Sequence, residues 1–178
     1  GFDLNLINGN ELRRLELTSN CFKNEGVVKK WDCPKLKYLD MSSNHFGDGG
    51  LIFGKEWNCP KLKYLNMASN SFSSNGLMYI EKWKTVNIKH LNLSYNYFDC
   101  DGLRHIEKWE CFELKTLNLS SNKLGNKGLE YIETWNCLKL ENLNLSLNHL
   151  NSEGLKYIRG FCGSNLKQLN LNHNQFGY

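Results

Sequence analysis

The chain of 178 residues has 40% hydrophobic and 22% charged residues and two prolines, which excludes a disordered or collagen-like chain and favours one folded domain. No apolar run approaches the ~20 residues of a membrane-spanning helix, and no signal peptide is visible. The formal net charge of +4 permits an acidic partner without requiring one.

The two ends of the chain differ from its middle. Alternation in Phe2-Asp3-Leu4-Asn5-Leu6 predicts a short capping strand within residues 1–11, or the remnant of a preceding unit. The sequence ends shortly after Asn174-Gln175-Phe176 without a closing helix. Because a stacked array needs a polar cap, we expect further repeats or another chain to cover that end.

Between the ends, the pattern L-x-x-L-x-L-x-x-N recurs in one register. The spacing between copies is 24 residues once and 26 residues five times. The seven copies begin at Leu12, Leu36, Leu62, Ile88, Leu114, Leu140 and Leu166.

Each copy predicts a strand, a turn and a helix. Alternation in Thr116–Ser120 predicts a short strand with its two leucines inward and the other three residues outward. Leu129, Ile132 and Trp135 then follow at steps of three, which predicts a helix of two to three turns. The first copy is two residues shorter in this part, so we expect a shortened helix or a tight turn there. Stacked units form a right-handed solenoid with a parallel sheet inside and helices outside.

These residues resemble the leucine-rich repeat family, whose signature and period match the chain from Leu12 to Phe176. The Gly-Leu pair after each Asn, as at Gly128-Leu129, is similar to the ribonuclease-inhibitor-like class and to the GALA type of bacterial effectors. The resemblance implies an α/β horseshoe forming a single domain over residues 1–178. It also implies a non-catalytic module that recognises a partner protein.

Several repeated polar or small residues have a structural interpretation. The Asn that ends each signature can satisfy backbone groups of a buried turn. The glycines at the helix starts allow close stacking, and the tryptophans belong to the core. These columns comprise Asn20, Asn44, Asn70, Asn96, Asn122, Asn148 and Asn174; Gly26, Gly50, Gly76, Gly102, Gly128 and Gly154; and Trp31, Trp57, Trp83, Trp109 and Trp135.

Cysteines also recur at one position of the repeat. Four of the seven lie three residues before a signature, and the chain has no C-x-x-C pair. We interpret these four as free buried thiols, which favours a reducing, intracellular compartment; a bridged framework is the alternative. They are Cys33, Cys59, Cys111 and Cys137.

No catalytic, metal or cofactor pattern is present in the sequence. The five histidines occupy mostly unrelated positions of the repeat, and no nucleophile elbow or paired-carboxylate motif occurs. Cys100 lies between Asp99 and Asp101, whose charges should raise its pKa and make it a poor nucleophile. We therefore expect neither an enzyme nor a bound cofactor.

The predicted concave sheet is the candidate binding surface, because it is rigid, continuous and free of helices. Its floor is polar and consists of two outward columns. The middle column includes Asp40, Asn66, Asn92 and Asn118, and the next includes Ser42, Ser94, Ser120 and Ser146.

Aromatic side chains interrupt this polar background at Tyr38, Tyr64 and Tyr95, with His90 in the column of the first two. A tyrosine ring buries a large area at low entropic cost, so it often anchors an interface. We predict a partner-binding patch from these four residues and the floor; tolerated surface tyrosines are the alternative.

One edge of the predicted sheet is basic, and only Glu141 interrupts it. Like charges at strand spacing repel, so this rim is either solvated or matched by an anionic partner. A nucleic-acid partner is not expected, since it calls for a larger basic excess and interleaved aromatic platforms. The rim consists of Arg13, Lys37, Lys63, Lys89, Lys115 and Lys167.

The functional prediction is a protein-interaction module with a partner of unknown identity. The resemblance to the GALA type favours the targeting domain of a larger intracellular protein or of a bacterial effector acting in host cytoplasm. An extracellular receptor ectodomain and a structural subunit of a large assembly are the alternatives.

Overall fold

The computed structural model describes residues 9–23, 31–52, 56–82, 87–107, 111–162 and 165–177. The predicted capping strand, the shortened first helix, Gly26, Trp83 and Trp109 lie outside these ranges.

Seven strands form one parallel sheet in chain order. Each strand pairs with the next in the same register, so that equivalent residues of neighbouring units stand opposite each other, as Leu39 does to Leu65. This confirms the predicted α/β solenoid with a sheet on its concave face. The strands are β1 (Arg14–Glu16), β2 (Tyr38–Asp40), β3 (Tyr64–Asn66), β4 (His90–Asn92), β5 (Thr116–Asn118), β6 (Asn142–Asn144) and β7 (Gln168–Asn170).

Helical segments form the second layer, and each packs against the next along the array. The α-helices are α1 (Gly47–Ile52), α2 (Cys100–Arg104), α3 (Gly125–Glu133) and α4 (Leu155–Cys162). Ser74–Lys82 is a 3-10 helix, and Ser152–Gly154 forms a 3-10 turn ahead of α4.

The predicted helix of two to three turns is confirmed in α3 and wrong in two other respects. The third unit is 3-10 rather than α, and α2 is only five residues long. A spacing of three residues is shared by both helix types, so Leu77 and Ile80 could not discriminate between them.

The core lies between the sheet and the helices and uses the same positions in each unit. In the second unit, Leu36, Leu39, Met41 and Phe46 are fully buried. Aromatic rings continue from one unit to the next. The ring centroids of Trp31 and Trp57 lie 5.4 Å apart, those of Phe22 and Phe46 5.9 Å, and those of Phe72 and Phe98 6.4 Å.

Close approach between units explains the glycine column. A Cβ added at Gly102 would lie 2.9 Å from the Cα of Ser74, and one added at Gly76 would lie 2.6 Å from Leu51 Cδ1. Because Ser74 presents backbone at this contact, a side chain at position 102 would force the units apart. The predicted packing role of these glycines is confirmed at both positions.

The cysteine column divides into two pairs, and the prediction of free thiols is wrong for one of them. Cys111 and Cys137 form a disulfide with a Cα–Cα distance of 4.8 Å, within the range that disulfides span. Parallel stacking itself places equivalent residues of adjacent units this close. Cys33 and Cys59 are free and buried, as predicted, and burial is the main cause that raises the pKa of Cys59 to about 12.

Among the residues with described structure, no helix is long and apolar enough to cross a membrane.

Candidate functional site

The first positions of β1 to β4 form a stacked ladder on the concave face. The Tyr38 and Tyr64 rings are nearly parallel, with centroids 4.3 Å apart and an interplanar angle of 7°. The His90 ring follows at 6.2 Å from Tyr64 and is tilted by 36°. At the other end, Arg14 Cζ lies 3.6 Å from the centroid of Tyr38. We call Arg14, Tyr38, Tyr64 and His90 the aromatic ladder.

The constant register explains why this ladder forms. Tyr38, Tyr64 and His90 stand directly opposite one another on adjacent strands, which places their rings close to stacking distance. The faces of the two tyrosine rings are therefore largely covered by their neighbours. The ladder offers ring edges and polar tips to a partner, and not free faces for the stacking of bases.

Partial burial shifts the pKa values of two side chains of the aromatic ladder. Burial, and after it the neighbouring Tyr38, raises the pKa of Tyr64, whose hydroxyl stays protonated at neutral pH. Burial, followed by the charges of Lys115 and Lys89, lowers the pKa of His90 from 6.5, so the imidazole is neutral at pH 7. The rings of the ladder therefore contribute no net charge of their own at this pH.

The middle column of the predicted floor has a structural role. The side-chain oxygen of Asp40, Asn66, Asn92 or Asn118 accepts the backbone N–H two residues later, at 2.9 to 3.2 Å. Asn66 also donates its amide to Asp40 Oδ2 at 3.0 Å. These side chains fix the backbone conformation where the chain leaves the strand. Chiefly their outer amide or carboxylate atoms are left free to contact a partner.

The next column was predicted to face outward, which is wrong for its four serines, whereas Thr18 and Asn172 of the same column are exposed. Ser42, Ser94, Ser120 and Ser146 are all buried. In three of the four, the hydroxyl donates to the Asp or Asn two residues earlier, at 2.6 to 2.8 Å. All four serines follow the end of a strand, where the chain turns, and in these three the hydroxyl is bonded to the side chain two residues earlier.

Asp40 is the one acidic member of the middle column among β2 to β7. Burial would raise the pKa of its carboxyl, but hydrogen bonds from Ser42, Asn66 and Thr18 outweigh that effect and lower the pKa. Asp40 is therefore charged at neutral pH.

The asparagine column that ends each signature has the predicted structural role. Asn96 Nδ2 donates to the carbonyl oxygens of Met67, Leu93 and Ser94 at 3.0 to 3.3 Å. Its Oδ1 accepts the backbone N–H groups of Asn70 and Phe72 at 3.0 and 3.1 Å. From Asn44 to Asn174, each such side chain joins its own turn to that of the preceding unit.

Tyr95 does not join the aromatic ladder. It lies three residues beyond β4, at the opposite end of the strand from His90, in a left-handed conformation with φ 54°. The same conformation recurs at this position in all seven units, mostly on serine. Tyr95 is 62% exposed, and Leu147 at the equivalent position is 44% exposed.

A second surface, not predicted from the sequence, lies along the loops that follow the strands. It includes a cavity of about 340 Å³ lined by Tyr97, Lys123, Leu147, His149 and His173, among others. Tyr97 is 56% exposed, and Lys123 Nζ lies 5.3 Å from the centroid of its ring. A signal was present in the sequence, since Tyr97 and His149 share one repeat position.

The basic rim is neutralised at one end. Glu141 accepts from Lys115 at 3.3 Å and from Lys167 at 2.9 Å. Outside the rim column, Lys35 pairs with Glu11, and Lys139 pairs with Glu113. Arg13, at the first rung, contributes through its charge to lowering the pKa of Glu11, which is lowered chiefly by the hydrogen bond from Lys35.

The described residues contain no group of three or more His, Cys, Asp or Glu side chains that could hold a metal ion. Burial, followed by the charges of Asp101 and Asp99, raises the pKa of Cys100, as expected for an unreactive thiol.

Comparison with known proteins identifies the repeat. A family model described as Leucine Rich repeat matches residues 10–29, 32–53, 58–80, 110–132, 136–158 and 164–178. The chain belongs to the leucine-rich repeat family. The strand of the fourth unit falls outside the matched segments, yet β4 keeps the register of its leucine-rich repeat neighbours on both sides.

Among solved structures, the chain is similar to one in the crystal structure of the mouse RP105/MD-1 complex. The two share 23% sequence identity with a TM-score of 0.56, over 93% of this chain and 30% of that chain. This likeness concerns the leucine-rich repeat fold alone. A search of curated proteins found no match.

Proposed function

We propose that this leucine-rich repeat chain is a non-catalytic module that binds a partner protein through the concave face, with the aromatic ladder at the centre of the contact. The stacked pair of Tyr38 and Tyr64, 4.3 Å apart, is the observation that carries this proposal. Stacking fixes the two rings before a partner arrives, so their ordering costs little entropy on binding.

Site-specific photo-crosslinking tests this proposal. A benzophenone amino acid is placed at Tyr64 in one variant and at the convex residue Tyr157 of α4 in another. In an extract of the cells that make the protein, we expect discrete protein adducts from position 64 that are absent from position 157.

A competing, unlabelled protein provides the control. Excess wild type should suppress the adducts from position 64, and excess of the variant Tyr38→Ala/Tyr64→Ala/His90→Ala should not. Equal suppression by both competitors would show that the aromatic ladder is not part of the contact.

Two cellular locations are candidates for the protein, and each is supported by one pair of cysteines. The free, buried Cys33 and Cys59 support a targeting domain of a larger intracellular protein or effector. The disulfide between Cys111 and Cys137 supports an extracellular receptor ectodomain. Counting the free thiols of the isolated protein before and after reduction separates these two compartments.

A further inference from the structure

The lysines beside the aromatic ladder divide into a paired group and an unpaired group. Lys35, Lys115, Lys139 and Lys167 each have a glutamate partner, in ion pairs that join neighbouring units. Between them lie four lysines that form no ion pair with any residue of the described ranges. We call these four the lysine cluster: Lys37, Lys61, Lys63 and Lys89.

Three members of the lysine cluster stand on consecutive rungs of the sheet edge. The backbone N–H of Lys63 donates to the carbonyl of Lys37 at 3.0 Å, and that of Lys89 donates to Lys63 at 2.8 Å. Adjacent rungs are therefore about 4.8 Å apart, and like charges at this spacing repel. Each of the three immediately precedes a ring of the aromatic ladder in the chain.

The members of the lysine cluster differ in how much they interact with nearby carboxylates. The pKa of Glu113 is lowered chiefly by its hydrogen bond from Lys139, but the charge of Lys89 also contributes. Among the described residues, no carboxyl pKa is lowered by the charge of Lys37, Lys61 or Lys63.

We propose that the lysine cluster binds an acidic segment of the partner protein, whose Asp or Glu carboxylates pair with the lysines while adjacent residues contact the edges of Tyr38 and Tyr64. This inference rests on the proposed function and specifies the chemistry of its partner. Three rungs span about 10 Å, which an extended peptide covers in about three residues. The matching segment is therefore a short run of acidic residues.

An acidic protein segment fits this surface better than a nucleic acid. The rings of Tyr38 and Tyr64 cover each other and Arg14 covers Tyr38, so few ring faces are open to bases. Carboxylates need only the exposed ammonium groups of the lysine cluster and hydrogen bonds from the tyrosine hydroxyls.

Fluorescence anisotropy tests the proposal with a defined probe. The probe is a fluorescein-labelled peptide with six consecutive glutamates between Gly-Ser flanks, and a peptide with six glutamines serves as the neutral reference. We expect the wild type to bind the glutamate peptide at least tenfold more tightly than the glutamine peptide. The triple variant Lys37→Glu/Lys61→Glu/Lys63→Glu should lose at least tenfold in affinity for the glutamate peptide.

A second triple variant controls for net charge. Lys123→Glu/Lys127→Glu/Lys156→Glu changes three exposed lysines away from the cluster and alters the net charge equally. It should lose less than threefold in affinity. Matching circular dichroism spectra and melting temperatures would confirm that both variants are folded.

Three results would overturn the proposal. These are equal losses in the two triple variants, no binding of the glutamate peptide by the wild type up to millimolar concentration, or tighter binding of a single-stranded oligonucleotide that requires the same lysines. If the crosslinks from position 64 persist in any of these cases, only the acidic partner is excluded and the concave contact stands.

Discussion

Asn122 uses both ends of its amide group inside the molecule, whereas Asn118 uses mainly one. Asn122 Nδ2 donates to three carbonyl oxygens at 3.0 to 3.2 Å, and Oδ1 accepts from the Phe98 N–H at 3.1 Å. Asn118, four residues earlier, accepts the Ser120 N–H at 3.0 Å at a partly exposed site. The same residue type thus has a much larger structural role at position 122.

We expect Asn122→Ala to lower the free energy of unfolding by about 3 kcal/mol, because buried backbone groups of two units lose their partner. The matched variant Asn118→Ala should cost about 1 kcal/mol, since water can reach its site. Urea denaturation followed by circular dichroism measures both. Equal costs would show that burial does not decide the role of these asparagines.

At the scale of elements, neighbouring units contact each other through residues at the same position of the repeat. This rule brings Cys111 to Cys137 and Tyr38 to Tyr64. It also explains why the cysteine column yields pairs: position 85, which would link Cys59 to Cys111, holds Thr.

The disulfide gives a defined thiol count. Of the cysteines whose side chains the structure describes, Cys111 and Cys137 are bridged and the other four are free, so reduction of the unfolded protein should expose two further thiols to Ellman's reagent. Protein purified with an alkylating agent present from lysis preserves the native state.

Seven reactive thiols before reduction would contradict the bridge and support an intracellular compartment. A Cys111→Ser/Cys137→Ser variant is the control, because its count should not change on reduction.

At the scale of the whole molecule, the strand leucines are more deeply buried in the interior of the described sheet than in its last strand. Leu143 of β6 is 1% exposed, but its counterpart Leu169 in β7 is only partly buried. In a stack, each unit is stabilised by its neighbours, and β7 has one neighbour in this sheet while β4 has two.

Hydrogen exchange should therefore follow position along the stack. We expect the backbone amides of β7 to exchange on the order of tenfold faster than those of β4, because the end unit can open alone. Mass spectrometry of peptic fragments provides the measurement. Equal protection of the two strands would mean that the 178 residues open only as one unit.

Much of this architecture is predictable because the repeat never loses its register. The signature predicts the strands, the buried asparagines and the close glycine contacts, and the opposition of Tyr38, Tyr64 and His90 follows directly. The division of the lysines into paired and unpaired groups could also be predicted, since Glu113 and Lys139 occupy the same repeat position one unit apart.

Other features depend on three-dimensional detail that a linear pattern does not contain. Helix type is ambiguous at Leu77 and Ile80, because a step of three suits two helices. The burial of Ser146 follows from the bond of its hydroxyl to Asn144 and from the turn after the strand. The disulfide depends on the oxidation state of two facing thiols, which spacing alone does not determine.

The backbone-directed contacts of the asparagine column have an evolutionary consequence. Asn96 and Asn122 bind mainly backbone atoms, so the joint between units depends little on which surface side chains a unit carries. Duplication or loss of one 26-residue unit by unequal recombination would leave the joints on either side chemically similar. The length of the concave face and its residues can then diverge separately, and a lineage could acquire a new partner by gaining a unit before changing any existing one.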